Sequence, residues 1–265
     1  MLNFAHGDII MVGGYTILVF TAQSVHPLIA IALAIVFCVG LGVVVERVAY
    51  KPLRGASPLA VLITAIGVSY LLQSLAQIIF GSAPKMVTVY DFGTIKFFGT
   101  TVQVSSLVTL GVTVVVMAAL SLFVKYTRLG RAMIAVSEDK SAAQLMGINV
   151  NGIITITFAI GSALAALAGL FYLLKAPSVS STLGAMPGIK AFTAAVIGGI
   201  GSITGSIIGA FFFVACSEWW LRFLDMGGAF GLEFDFMRPG FRKVVFAIAI
   251  MLIVLFYRQG IMGTK

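Results

Sequence analysis

The stretch "PLAVLITAIGVSYLLQSLAQIIF", Pro58 to Phe80, runs for 23 residues without one acidic or basic side chain. A bilayer core about 30 Å thick is crossed by about 20 helical residues, so this stretch reads as a membrane-spanning helix. Outward from it lie further runs of the same kind: Ile9 to Ala22, which is short, then Pro27 to Val45, Val104 to Val124, Gly152 to Leu174 and Val244 to Tyr257. Gly188 to Leu224 is too long for one helix, and "GGIGSITGS", Gly198 to Ser206, interrupts it with four glycines. Irregular backbone at membrane depth survives only where protein or a water-filled cavity satisfies it, so the run divides into a short helix and a full span. The expected fold is all-α, a polytopic transmembrane bundle of about seven membrane segments, one of them short or re-entrant.

Composition agrees. The chain is 60% hydrophobic and 10% charged, with 29 glycines among 265 residues and a mean hydropathy of +1.11. One soluble domain could not hide that much apolar surface. The net charge of +8 does not announce nucleic acid, because no segment concentrates Lys and Arg as a groove-reading helix would. Loops facing anionic lipid explain the excess better. Cys38 and Cys216 fall inside apolar runs and read as buried thiols, not as a disulfide or a metal site. No basic n-region marks a cleavable signal peptide in the first ten residues.

Loop charge sets the orientation. "ERVAYKPLRGAS" carries Arg47, Lys51 and Arg54, and the connection 125–151 carries Lys125, Arg128, Arg131 and Lys140. Two spans separate them, which places both on the cytoplasmic side by the positive-inside rule. Gly81 to Gln103, Lys175 to Pro187 and Asp225 to Lys243 are then exterior. The last runs against the rule with Arg238, Arg242 and Lys243, accompanied by Asp225, Glu233 and Asp235.

Chemistry is sparse within the spans. Glu218 is the only carboxylate read as lying well inside a long run, and beside Trp219 and Trp220 it suits an interfacial anchor better than a proton relay. The histidines, His6 and His26, form no H-E-x-x-H pair, both lie in the first 26 residues and so far from Ser162 in sequence, and no phosphate-binding loop is present. No covalent catalysis by this chain is expected, and any energy source must be external. Gly161, Ala165 and Gly169 recur every four residues, as do Gly201, Gly205 and Gly209. Each set allows close helix packing, and lining a path or contacting a second membrane subunit are the alternatives. Thr64, Ser69, Gln73, Ser74 and Gln77 supply hydroxyls and amides that either face a polar solute or bond across helices.

Five stretches in order and spacing are together similar to the permease subunits of branched-chain amino-acid ABC importers. They are "NFAHGD" (Asn3 to Asp8), "VVERVAYKPLRGASPLAVLITAIGVSYLLQ" (Val44 to Gln73), "TRLGRAM" (Thr127 to Met133), "AAQLMGINV" (Ala142 to Val150) and "KAFTAAVIGGIGSITGSIIG" (Lys190 to Gly209). The resemblance implies a single permease domain over 1–265 in the bacterial inner membrane. It also implies a second homologous permease subunit, two cytoplasmic ABC ATPase subunits that bind ATP and Mg, and a periplasmic solute-binding protein. No cofactor is implied in this chain. Leucine, isoleucine and valine are the usual cargo, with urea or short amides in relatives. A further hydrophobic segment normally precedes the Asn-Phe-Ala-His-Gly motif, so a first helix is expected upstream of Met1.

Importer permeases of this kind carry a cytoplasmic Glu-Ala-Ala-x-x-x-Gly loop that docks in a cleft of the ATPase. Ala142, Ala143 and Gly147 keep that pattern, while Ser141 stands in the glutamate's place and Glu138 and Asp139 offer acidic contacts nearby. The local physics reads the same way: Ser137 as cap, Glu138 and Asp139 in the first turn, an apolar stripe of Ala142, Leu145 and Met146, and Gly147 as the stop. The coupling helix is therefore expected over 137–147. A translocation path is expected to use Asn3, His6, Thr64, Ser69, Gln73, Gly198, Gly199, Gly201 and Ser202. The reading from another class is a passive channel for small polar solutes that needs neither partner nor ATP.

Overall fold

A computed structural model describes residues 5–87, 89–90, 92–97, 100–199 and 201–214, together with Ile248 and Met251. Asn3, Cys216, Glu218, Trp219, Trp220, the loop 225–243 and nearly all of the run 244–257 lie outside the described residues.

The long helices start where capping chemistry starts them. α2 (Pro27–Val45) opens with proline at its first position behind His26, whose Nδ1 accepts from Leu28 N at 3.4 Å. α3 (Pro58–Phe80) opens the same way behind Ser57, whose Oγ accepts from Ala60 N at 3.3 Å. Proline fits there because its missing N–H would have had no helical partner. α1 (His6–Ala22) begins three residues before its apolar run, and α2 continues past its own as a π-helical turn, Glu46–Tyr50. α4 (Val104–Tyr126), α5 (Arg128–Glu138), α6 (Lys140–Leu145) and α7 (Val150–Lys175) follow, then α8 (Ala185–Gly198) and α9 (Ile203–Val214). Four helices among the described residues are long and apolar enough to cross a membrane.

The helical bundle expected from hydropathy is present, with an addition that pattern does not give. β1 (Lys85–Met86) pairs antiparallel with β4 (Ser178–Val179), and β2 (Thr94–Phe97) with β3 (Thr100–Gln103). The first ladder joins the two connections that loop charge assigned to one side of the membrane.

The chain divides into two compact units, Met1–Gly188 and Ile189–Lys265. In the first, α1, α2 and α7 make the principal contacts, around Ile9, Met11, Ile17, Cys38, Ala165, Ala166 and Leu173. Small residues permit it: a methyl group at Gly169 would lie 2.7 Å from the carbonyl oxygen of Ile10, and one at Gly42 would overlap Ser162 Oγ at 1.8 Å. Ser162 thus sits buried in the α2–α7 seam. In the second unit α8 and α9 approach backbone to backbone, since a methyl group at Gly198 would lie 2.0 Å from the Gly205 carbonyl oxygen. The turn between them holds Gly199 at φ +106° and Gly201 at φ +100°, and Ser202 Oγ accepts from Gly205 N at 3.0 Å.

Candidate functional site

Three local arrangements bring together the chemistry-bearing residues. The first is the connection between α4 and α7. Thr127 Oγ1 accepts from Gly130 N at 3.0 Å to start α5, and Gly130 lets that helix turn back onto the backbone of Val124. α5 runs through Glu138, which takes Ser137 into its last turn, where its hydroxyl donates to Ile134 O. The helix expected from Ser137 onward therefore begins later. Asp139 caps α6, its Oδ1 accepting from Ser141 N at 2.7 Å and Ala142 N at 3.1 Å. A carboxylate in that position outcompetes Ser137 because it faces two free N–H groups at the positive helix end.

α6 is anchored by one small residue. Ala143 is buried against Val136 of α5 and Ile153 of α7, while Leu145 and Met146 are 89% and 82% exposed. Gly147, at φ +80°, provides the left-handed turn that ends the helix. Glu138 and Ala142 are exposed. Because one oxygen of Asp139 is committed to the cap, Glu138 is the freer of the two acids for an external contact.

The second arrangement joins α2 to α7 where the two basic connections meet. Glu46 is fully buried; its carboxylate accepts from Arg54 Nη2 and, at 2.8 Å, from Thr155 Oγ1. Arg54 Nη1 also donates to Asn151 Oδ1. The third lies between α1 and α3, where Asp8, 1% exposed, accepts from Ser69 Oγ and, at 2.9 Å, from Gln73 Nε2.

The reading of Glu218 lies outside the described residues, but Asp8 and Glu46 are buried in helices at the edges of apolar runs, where the run boundaries did not place them. The reason is shared: hydropathy treats a charge as the end of a span, but α1 starts before Asp8 and α2 continues beyond Glu46. The only sign in the sequence was the four-residue spacing of Ser69 and Gln73, which puts both on one face of α3.

Of the residues assigned to a path, Ser69 and Gln73 are brought together on Asp8, to which both donate across helices. Thr64 is half-buried on the same helix. His6 approaches α7 at Gly161, where a methyl group would lie 3.7 Å from its Cε1. Gly198 packs against α9, whereas Gly201 has no neighbour within 4 Å of an added methyl group. Among the described residues no group of His, Cys, Asp and Glu could hold a metal ion.

Residues 1–255 match the family described as the branched-chain amino acid transport system permease component. The chain belongs to this permease family. It is 37% identical to the high-affinity branched-chain amino acid transport system permease protein BraD of Pseudomonas aeruginosa, over 99% of this chain and 86% of that protein. It is 35% identical to the corresponding LivH protein of Escherichia coli K12, with the same coverage. A shorter likeness, 36% over 44% of this chain and 35% of the relative, links it to the fructose import permease FrcC of Rhizobium meliloti. No solved structure gives a significant match. This permease is thus a multi-pass inner-membrane subunit of an ABC importer and not itself an enzyme; in such systems the nucleotide belongs to the ATPase partners.

Proposed function

We propose that this permease forms half of a translocation path for branched-chain amino acids. Its partners would be a second homologous permease, two cytoplasmic ATPase subunits and a periplasmic binding protein that delivers the solute. The single observation that carries the coupling role is α6 itself. It is a one-and-a-half-turn helix whose only buried residue is Ala143 and whose Leu145 and Met146 face outward. A helix this short is marginal unless packed on something, and two large apolar side chains left in water suit the groove of another protein.

The route inward follows from the contacts. Ala143 rests on Ile153 of α7, and Thr155, two residues further on, bonds Glu46 of α2. Displacing α6 would therefore move the start of α7 and, through Glu46, the end of α2. ATP binding favours one arrangement of the ATPase pair, and the permease only transmits that bias. The bundle end where both basic connections meet is read as cytoplasmic, and the α1–α3 cluster of Asp8, Ser69 and Gln73 as a fixed wall beside the path.

The test is the double substitution Leu145→Glu with Met146→Glu in the assembled importer. Both positions are exposed, so the protein should reach the membrane at its normal level. Uptake of labelled leucine should fall at least about tenfold, since removing a docking anchor costs about 2 kcal/mol or more, and the ATPase should no longer co-purify. Undiminished uptake would sink the coupling role. Leucine uptake abolished by excess urea but not by valine would move the solute to the amide branch of the family.

A further inference from the structure

Between the end of α2 and the start of α7 lies a cavity of about 360 Å³, lined by Arg47, Lys51, Arg54, Asn149, Asn151 and Gly152 among others. Its charge does not balance. Arg54 is matched by Glu46, which lies buried beneath it, but Arg47 and Lys51 form no ion pair with any described residue. The cavity thus keeps an excess of about two positive charges, and the positive end of α7 adds to it. Asn149 spends its Oδ1 on Gly152 N at 3.1 Å, and Asn151 spends its own on Arg54. The amide NH₂ groups of both remain as donors, so the lining offers cations and N–H groups with no free carboxylate. Such a lining selects an anion with several acceptor oxygens, which is a phosphate.

The surroundings favour one source of that phosphate. Arg47 and Lys51 sit on the exposed side of the α2 terminus together with Val44 and Val48, which are 55% and 71% exposed, and Ile156 at 36% lies on the α7 side of the cavity. Apolar side chains therefore continue from the cavity mouth along the bundle, as acyl chains would. We infer that this cavity binds the headgroup phosphate of an anionic phospholipid, at the end of the bundle that carries α6. Only the leaflet assignment rests on reading that end as cytoplasmic; lipid binding does not depend on the coupling role.

The assembled importer is exchanged into phosphatidylcholine nanodiscs containing phosphatidylglycerol, and lipid retained on release is counted by native mass spectrometry. Each Lys or Arg near an anionic surface is worth about fivefold in affinity, so Arg47→Gln with Lys51→Gln should lower phosphatidylglycerol retention about 30-fold. Arg47→Lys with Lys51→Arg, which keeps the charge, should retain it. Excess inorganic phosphate should displace none of it. Equal retention by the glutamine variant would overturn the site. Displacement by inorganic phosphate would reassign the cavity to a soluble anion and overturn the lipid. Loss of the ATPase from the glutamine variant with lipid retention unchanged would make it a protein contact, also against the inference.

Discussion

α7 and α4 are uninterrupted apolar helices of 26 and 23 residues, yet they live in opposite surroundings. α7 buries Ser162, Ala165, Ala166, Gly169 and Leu173 against α1 and α2 and Ile153 against α5 and α6, whereas α4 buries no residue among those described. The difference is one of shape. α7 carries Gly, Ser and Ala through 161–169, while the middle of α4 is a run of valines and Thr113 over 112–116. Lipid is as apolar as leucine, so hydrophobicity puts both helices in the membrane without choosing their neighbours; small residues that admit another backbone make the choice. α7 has a second hold that α4 lacks among the described residues, the polar bonds through Thr155 and Asn151.

The largest expected effect comes from cutting that hold. Glu46→Ala removes the partner of Arg54, whose side chain is only 17% exposed, and of Thr155. Removing one member of a buried pair costs about 3–5 kcal/mol because the other charge is left uncompensated. The loss should appear as a lower midpoint in detergent unfolding. An unchanged midpoint would mean that small-residue packing alone holds α7, and the contrast with α4 would reduce to a matter of shape.

Such a prediction could not have been made from the sequence, and the reason is physical. Helix starts at Pro27 and Pro58 and the break at Gly198–Ser206 are local, and composition displays them. The burial of Asp8 and Glu46 is decided by partners far along the chain, Ser69, Gln73 and Thr155, and a hydropathy profile excludes any acid at the edge of a run. The start of α6 was misplaced for a nearer reason: Ser137 and Asp139 both suit a cap, and the choice depends on α5 running on through Glu138. The β1–β4 ladder joins two loops whose sequences carry no sign of each other.

Next in size is the seam itself. Gly169→Val would place side-chain atoms into the backbone of α1 at Ile10 and should cost about 1–3 kcal/mol, the usual penalty for overpacking. Thermal unfolding of the purified protein would register it as a lowered midpoint. A neutral result would show that α1 and α7 can separate without loss, contrary to the 2.7 Å approach.

Thr155→Val is milder. It keeps the shape of the side chain and removes the bond to Glu46, which retains Arg54, together with the local contact of the same hydroxyl to Asn151 O at 3.1 Å within α7. Interhelical hydrogen bonds in membranes average about 0.6 kcal/mol, so stability should fall by about that much. Uptake should fall by more than stability does if the bond transmits movement of α7 to α2. Equal, small losses in both would leave the clasp a purely structural tie.

The smallest effect is expected on α4, and it tests the other half of the contrast. Gly111 is exposed, and an added methyl group there would meet nothing within 4 Å. Gly111→Val should change unfolding stability by no more than about 0.5 kcal/mol, as for other surface positions. The same substitution that disrupts α7 at Gly169 would then be silent on a helix equally at home in the bilayer. If stability holds but uptake in the assembled importer falls, the outward face of α4 must meet another subunit, and its run of valines over 112–116 would mark a looser contact than the α1–α7 seam. If the isolated protein itself is destabilised, α4 packs more closely within the chain than its exposure indicates, and bulk along 112–116 cannot be what separates the two helices.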